Sequence, residues 1–169
     1  MHFLQQKNHL EAMVIMVQKE VATRICSGPG SKDYGVLSIA VQAAAQADIL
    51  FDVPPRAFVP PPHVMSTVLA LHMRPHPDLA GTAPLKASAS AAGSPVPDEK
   101  TFFRVVKAAF SSRRKMLTNS LAAGLALDKN HVAQHLQQAD IDGTRRAETL
   151  SIAEFQRITQ ELFPGHPQG

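Results

Sequence analysis

The residues best suited to holding a flat ligand lie in the stretch VPPRAFVPPPHVMS, which spans residues 53–66. Five of these fourteen residues are proline, whose fixed φ leaves the segment little backbone freedom to lose on folding. Phe58 lies between two groups of prolines, and an aromatic ring on such a stiff loop could stack on a nucleobase. Alternatively, Phe58 plugs the core and the prolines form a rigid corner between two strands, a reading that composition alone favours.

A second candidate functional region is a block of basic residues over 100–127. It contains no acidic residue, although the whole chain carries a net charge of only +3 and has a pI near 9.2. Such an excess repels itself unless it is spread in solvent or faces an anion, of which phosphate backbone is the obvious case. Charge alone does not separate RNA binding from a solvated helix face, and Asn119 and Ser120 also fit either phosphate contact or solvent. The six basic residues are Lys100, Arg104, Lys107, Arg113, Arg114 and Lys115.

Eight histidines suggest a metal site, but their spacing argues against one. The pairs four residues apart are His72 with His76 and His131 with His135. The first pair straddles Pro75, and the second has no carboxylate or third ligand in an obvious place. We therefore predict surface histidines and no metal ion.

Composition favours a soluble, folded, cytoplasmic protein. The chain has 169 residues, of which 44% are hydrophobic and 18% charged, and no apolar run approaches the length of a membrane span. The amino end shows no charged region followed by an apolar core and a cleavage site, so export is not expected. The single Cys26 cannot form an intrachain disulfide, which fits a reducing compartment.

The first 74 residues predict an α/β sheet. The run AMVIMV over residues 12–17 is continuously apolar, which is typical of a strand covered on both faces. A helix over 18–27 follows, because Val21, Ala22 and Ile25 share one of its faces. Three strands with intervening helices indicate the α/β class but are too few to close a sheet. The remaining predicted elements are the end of a helix over 1–9, a helix over 36–46, and strands over 48–53 and 66–73.

The rest of the chain predicts a linker and a small all-helical domain. Residues 75–97 are rich in Pro, Ala, Ser and Gly and hold too little apolar surface to order themselves, so we predict a flexible linker. In the domain over residues 98–165, helices are predicted over 99–110, 113–123, 130–138 and 151–163.

The predicted helix ends follow from capping chemistry. Asp98 can cap the first helix, whose apolar face contains Phe102, Val105, Val106, Ala109 and Phe110. Continuing that helix would place Arg113 on the apolar face, so we predict a break with Ser112 as the next N-cap and an end near Gly124. Ser151 and Glu154 form a capping box at the last helix, which a pair of Arg146 with Glu148 is expected to fix.

Five stretches, taken in order, resemble the small-subunit ribosomal RNA adenine N6,N6-dimethyltransferases of the KsgA type. Each is a weak signal by itself, but five in family order are specific, and they cover the chain except for the linker. The resemblance implies the end of a Rossmann-like methyltransferase domain over residues 1–74, followed by a helical RNA-binding domain over 98–165. The stretches are QKEVATR (18–24), SKDYGVLS (31–38), VPPRAFVPPPHVMS (53–66), FFRVVKAAFSSRRKMLTNSL (102–121) and RAETLSIAEF (146–155).

The resemblance also implies a reaction and a partner. The reaction is the transfer of two methyl groups from S-adenosylmethionine to the exocyclic amine of each of two adjacent adenines near the 3′ end of small-subunit RNA. In the family the phenylalanine of the proline-rich motif stacks on the flipped-out adenine, which maps onto Phe58 and reverses the preference for a core plug. The implied partner is small-subunit ribosomal RNA in a pre-30S particle, bound by a monomer. The expected RNA-binding residues are Arg104, Lys107, Arg113, Arg114 and Lys115.

The sequence departs from the family pattern in the part that binds the cofactor. It contains no GxGxG-like loop and no Asn-Leu-Pro-Tyr motif, and Met1 falls where the family is already inside the helix after that motif. We therefore expect that about the first third of the family's chain is missing. This chain alone is then expected neither to bind S-adenosylmethionine nor to methylate RNA. A stand-alone RNA-binding or ribosome-assembly module without chemistry is the alternative.

Overall fold

The computed structural model describes residues 11–73 and 99–164 of the chain. The predicted helix end over 1–9, the predicted linker over 75–97 and the predicted cap Asp98 lie outside the described residues. Within the described ranges, no helix combines the length and the apolarity that crossing a bilayer requires.

Residues 11–73 form a three-stranded sheet with two helices, which confirms the α/β class. The strands lie in the order β1-β3-β2, and β3 is antiparallel to both of its neighbours. The strand β2 follows α2 directly and begins at Ala45 rather than at residue 48. The elements are β1 Ala12–Gln18, α1 Lys19–Cys26, α2 Val36–Ala44, β2 Ala45–Val53 and β3 Ser66–Met73.

Described residues cover only one face of this sheet. Ile15 of β1 and Leu69 of β3 are cross-strand partners on the covered face, where they join the hydrophobic cluster formed with α1 and α2. Among the described residues the prediction that β1 is covered on both faces is not met, because α1 and α2 lie on the same side of the sheet. The exposed apolar side chains on the opposite face include Val14 (65% exposed), Met16 (52%) and Phe51 (58%).

Residues 99–164 form four helices around a second hydrophobic cluster. The predicted apolar face of the first helix is confirmed, since Phe102, Val105, Val106 and Ala109 are buried and Phe110 is partly buried against the same cluster. The helix predicted over 130–138 is confirmed to within one residue, with Asp128 as its N-cap. The helices are α3 Glu99–Phe110, α4 Leu117–Leu125, α5 Lys129–Gln138 and α6 Ile152–Leu162.

The last helix begins at the predicted capping box. The Ser151 hydroxyl accepts a hydrogen bond from the Glu154 amide at 3.2 Å, and the Glu154 carboxylate accepts one from the Ser151 amide at 2.7 Å. Arg145, rather than the predicted Arg146, supplies the cation by donating to Glu154. Burial by itself would raise the pKa of Glu154, but the hydrogen bonds from Arg145 and Ser151 outweigh it and hold that pKa below its usual range.

The start of α4 differs from the prediction. The sequence predicts a helix from Arg113 with Ser112 as its cap, but α4 begins at Leu117 with Met116 as its N-cap. A turn precedes it, in which the Lys115 amide donates to the Ser112 carbonyl at 3.0 Å. Leu117 is fully buried, so the helix starts where its first apolar side chain reaches the core, and the basic residues stay in the exposed turn.

Gly124 sets a close helix crossing rather than a helix end. The helix α4 continues past it to Leu125, and Ala126 is the C-cap with φ of 56°. A Cβ at Gly124 would lie 2.7 Å from the Ala108 Cα of α3, a distance that real Cβ atoms do not show. Glycine at this position therefore fixes how closely α3 and α4 approach each other.

Tyr34 joins the sheet part to the helical part. It lies at the turn before α2, yet the residue is only 1% exposed and belongs, with Ile39 of α2, to the cluster of the helical part. The ring meets Phe110 edge-on with the two centroids 6.3 Å apart. Its buried hydroxyl has no hydrogen-bond partner among the described residues. Burial, reinforced by the charge of Glu154, raises the pKa of Tyr34 to about 12.

Because Tyr34 is the only tyrosine of the chain, tyrosinate absorbance reports on this joint alone. We expect a midpoint near pH 12 for the folded chain and near pH 10 for the urea-unfolded chain. The folded-state pKa is raised, so the phenol's contribution to stability is complete below about pH 10 and is lost as the pH rises toward about 12. Tyr34→Phe should therefore keep more of its unfolding free energy than the parent chain at alkaline pH. A folded-state midpoint near pH 10 would contradict the buried joint.

Candidate nucleic-acid interface

Phe58 lies on the loop 54–65, which connects β2 to β3. The base of this loop is fixed by Asp52, whose carboxylate accepts hydrogen bonds from Lys19 Nζ and Thr67 Oγ1, each at 2.6 Å. These two hydrogen bonds, that of Lys19 first, hold the pKa of Asp52 below its usual range. The Lys19 amide also donates to the Met65 carbonyl at 2.9 Å, so the start of α1 holds both ends of the loop.

The proline-rich loop orders the backbone next to Phe58. The Phe58 amide donates to the Pro55 carbonyl at 3.1 Å and closes the 3₁₀ turn Pro55–Ala57. The Phe58 side chain is half-buried and is a member of neither hydrophobic cluster, while the neighbouring Val59 is 99% exposed. A ring that is held by its backbone and is still partly accessible has the properties that stacking on a base requires.

Four of the five predicted basic contact residues are exposed and make no salt bridge to a described acidic residue. Arg104 and Lys107 lie on the outer face of α3, and Arg114 and Lys115 lie in the turn before α4. The guanidinium of Arg104 lies over the Phe163 ring at 5.4 Å from its centroid, which orients that side chain. These four side chains present positive charge to solvent, as a phosphate-binding surface requires.

Arg113, the fifth predicted contact residue, is engaged within the chain. Its Nη2 donates to the Lys32 carbonyl at 2.7 Å and to the Tyr34 carbonyl at 3.4 Å. Its Nε lies 4.0 Å from the Glu148 carboxylate, at the limit of an ion pair. The structure therefore separates Arg113 from Arg114 and Lys115, which adjoin it in sequence.

We call the surface formed by Arg104, Lys107, Arg114 and Lys115 the basic surface. A shallow cavity of about 560 Å³ begins beside Lys115 and extends this surface onto α5. It is lined by Lys115, Asn119 and Lys129, together with Asp128, whose carboxylate is already occupied by the amides at the start of α5. Ser120, in contrast, is 1% exposed and donates to a carbonyl inside the chain. The structure thus places Asn119 at this surface and Ser120 inside.

Sequence reasoning missed Lys129. It lies outside the basic block and directly follows an acidic residue, so charge counting along the chain gives it no weight. The only local signal was that Asp128 is a helix cap, because a capping carboxylate is turned toward backbone amides and away from its neighbour. Folding brings Lys129 beside Lys115 at the same cavity.

The histidines do not assemble with other ligands in the described ranges. His131 and His135 stack edge-on with ring centroids 4.4 Å apart, and His72 Nε2 lies 4.0 Å from Asp48. Within residues 11–73 and 99–164, no group of three or more His, Cys, Asp or Glu side chains could hold a metal ion. His76, the partner of His72 in sequence, lies outside the described residues.

Comparison with known sequences gives consistent relatives. The family described as ribosomal RNA adenine dimethylase matches residues 1–83. A protein of Desulfitobacterium hafniense named ribosomal RNA small subunit methyltransferase A is 52% identical over 163 residues, covering 96% of this chain and 53% of its own length. The protein of the same name from Enterococcus faecalis is 41% identical over 170 residues, covering 99% of this chain and 52% of its own length. The chain spans about half the length of these curated relatives, a smaller share than the two-thirds that the resemblance implied.

Solved structures show the same fold. A dimethyladenosine transferase from Plasmodium falciparum superposes with a TM-score of 0.70 at 19% identity, covering 93% of this chain and 59% of that one. The 23S rRNA methyltransferase ErmE superposes with a TM-score of 0.52 at 18% identity, covering 90% of this chain and 55% of that one. At such low identity these matches establish the arrangement of sheet and helices and nothing further.

Proposed function

The chain belongs to the ribosomal RNA adenine dimethylase family, and from this membership we propose that it provides the RNA-engaging residues for S-adenosylmethionine-dependent dimethylation of two adjacent adenines in small-subunit ribosomal RNA. The proposal rests on one observation. The same chain contains the half-buried ring of Phe58, whose backbone is fixed by a 3₁₀ turn, and a set of exposed cations that form no ion pair with a described acidic residue. Residues 1–74 would then be part of the methyltransferase domain, 75–97 a linker and 98–165 the RNA-binding domain. Small-subunit RNA in a pre-30S particle, a monomeric state and a cytoplasmic location complete the proposal.

The role proposed for Phe58 is to hold one face of the target adenine. The exocyclic amine of adenine is a poor nucleophile because its lone pair is delocalised into the ring. Its methylation therefore depends mainly on positioning and on acceptors that hold the nitrogen. A stacked ring fixes the plane of the base and excludes water from one side, which is the part of that positioning that Phe58 can supply.

The role proposed for the basic surface is to bind the RNA backbone. Arg104 and Lys107 provide charge on α3, and Arg114 and Lys115 provide it in the following turn. Lys129 and Asn119 extend the surface at the cavity between α4 and α5. Contacts of this kind give affinity and orientation without reading sequence, so the choice of adenine would rest with the loop that carries Phe58.

S-adenosylmethionine, the methyl donor that the family implies, does not fit the described residues. The cavity beside Lys115 and a second one of about 560 Å³ beside Thr118 and Gly143 are both lined by residues of the helical part alone. The uncovered sheet face presents the apolar side chains of Val14, Met16 and Phe51 to solvent.

The misfit of the cofactor also favours a second candidate function. A non-catalytic RNA-binding or ribosome-assembly module would need the basic surface and no donor site. The two candidates differ at Phe58, because a module that only binds backbone has no use for an adenine-stacking ring. Variants of the two surfaces therefore test them separately.

The basic surface is tested by the salt dependence of RNA binding. Arg114→Ala with Lys115→Ala should weaken binding to single-stranded RNA and reduce the slope of log K against log salt by about 1.4, or about 0.7 for each lost charge. Arg157→Ala, which removes an exposed arginine on α6, is the matched control and should leave the slope unchanged. An unaltered slope in the double variant would mean that Arg114 and Lys115 are only a solvated surface.

The stacking role is tested with tryptophan, which the chain lacks. In Phe58→Trp the single indole should be quenched by an adenine-containing single-stranded RNA and binding should persist, whereas Phe58→Ala should weaken binding by about 5- to 150-fold, equivalent to about 1–3 kcal/mol for one stacked base. Phe51→Trp on the uncovered sheet face is the control and should stay unquenched. Equal quenching at both positions, or at neither, would argue against adenine stacking at Phe58.

A further inference from the structure

We propose that Arg113 is a positioning residue, which fixes the orientation of the basic surface relative to the loop that carries Phe58 and does not itself bind phosphate. The inference rests on the proposed function, since it concerns how the two RNA-engaging surfaces are held together. It separates Arg113 from Arg114 and Lys115, with which it forms a continuous basic triplet in the sequence.

The contacts of Arg113 connect the helical part to the segment 28–35 between α1 and α2. One guanidinium nitrogen donates to the carbonyls of Lys32 and Tyr34, at 2.7 and 3.4 Å. Both acceptors are backbone atoms, so the contact holds the path of the segment itself. A charged donor to a carbonyl is among the stronger hydrogen bonds of a protein, whereas the 4.0 Å approach to Glu148 contributes little.

The same segment is held from a second side. The Gly30 amide donates to the Glu148 carbonyl at 2.8 Å, and Gly30 has a φ of 85°, which favours glycine. The Tyr34 ring is inserted into the core of α3–α6 and contacts Phe110. Arg113 and Gly30 thus anchor the backbone on either side of the turn that delivers Tyr34 to that core.

A continuous set of contacts leads from this segment to the loop with Phe58. The Ser38 hydroxyl of α2 donates to the Arg24 carbonyl at 2.5 Å and ties α2 to α1. At the other end of α1, Lys19 binds Asp52 and the Met65 carbonyl at the base of the loop 54–65. An error in the orientation of segment 28–35 would therefore change where Phe58 lies relative to the basic surface.

The guanidinium suits this role because its Nη2, which donates to both carbonyls, holds its two N–H groups in a fixed plane and lies one bond farther from Cα than a lysine ammonium would. A lysine ammonium would keep the charge but lose that geometry. The opposite holds for a simple phosphate contact, where lysine is a good substitute because the charge is what matters. Arg113→Lys therefore separates the two roles, and Arg114→Lys is the matched control one residue away.

The experiment measures RNA binding and amide exchange in the full chain. Two RNAs are used: a small-subunit 3′-terminal fragment long enough to reach both surfaces, and a short uridine oligonucleotide that meets only the basic surface. We expect Arg113→Lys and Arg113→Ala each to weaken binding of the long fragment by about tenfold, with the salt slope and the affinity for the short oligonucleotide unchanged. Exchange of the Gly30 amide should rise in both variants, while Arg114→Lys should leave it unchanged.

Other outcomes would overturn the inference. A parent-like affinity of Arg113→Lys for the long fragment, or a salt slope reduced by about 0.7 in Arg113→Ala, would assign Arg113 to phosphate. Unchanged Gly30 exchange in both variants would show that Arg113 does not hold the segment. Glu148→Gln tests the same question with Arg113 left intact. If Arg113 contacts phosphate directly, removing the neighbouring negative charge should tighten RNA binding. If Arg113 only positions the segment 28–35, RNA binding should not tighten. Failure of the proposed function would appear separately, as parent-like RNA binding of the Arg114 and Lys115 alanine variant.

Discussion

The arrangement of this chain depends on the burial of one side chain, Tyr34, in a core that is otherwise built from residues 102–162 of the helical part and Ile39. Two small hydrophobic clusters, one under the sheet and one among the helices, would each be marginal as an independent unit. Insertion of the tyrosine ring makes the second cluster extend into the first part of the chain. The cost is a buried hydroxyl without a described partner, which the apolar contacts of the ring must offset.

The Tyr34 contact joins two parts of the chain to which we assign different roles: base stacking to the sheet part and binding of the RNA backbone to the helical part. The loop 54–65 leaves a sheet whose base is fixed by Asp52 and Lys19, so the ring of Phe58 has a defined origin. Four cations of the helical part lie in a turn and on an outer helix face and form no ion pair with a described acidic residue: Arg104, Lys107, Arg114 and Lys115. A nucleic acid that bound both the loop 54–65 and the basic surface would contact two sites at a fixed distance from each other. Holding the methyl donor is a different task, and both cavities described above are lined by residues of the helical part alone.

The features that sequence predicted correctly are those that local chemistry determines. The apolar face of α3 follows from helical spacing, and the Ser151–Glu154 capping box follows from side chains three residues apart. The start of α4 could not be predicted in this way, because the position of Leu117 in the core decides it rather than the capping preference of Ser112. Gly124 reads as a helix end in sequence but serves a contact with Ala108. The roles of Arg113 and Lys129 also depend on partners far away in sequence, namely the carbonyl of Lys32 and the cavity beside Lys115.

The most direct test of this account is calorimetric titration of the 169-residue chain with two ligands in the same buffer. The first is a single-stranded fragment of small-subunit ribosomal RNA that contains adjacent adenines, and the second is S-adenosylmethionine. The account predicts saturable, salt-sensitive binding of the RNA and no saturable heat from the cofactor. Saturable micromolar binding of S-adenosylmethionine, or the absence of RNA binding at low salt, would contradict it.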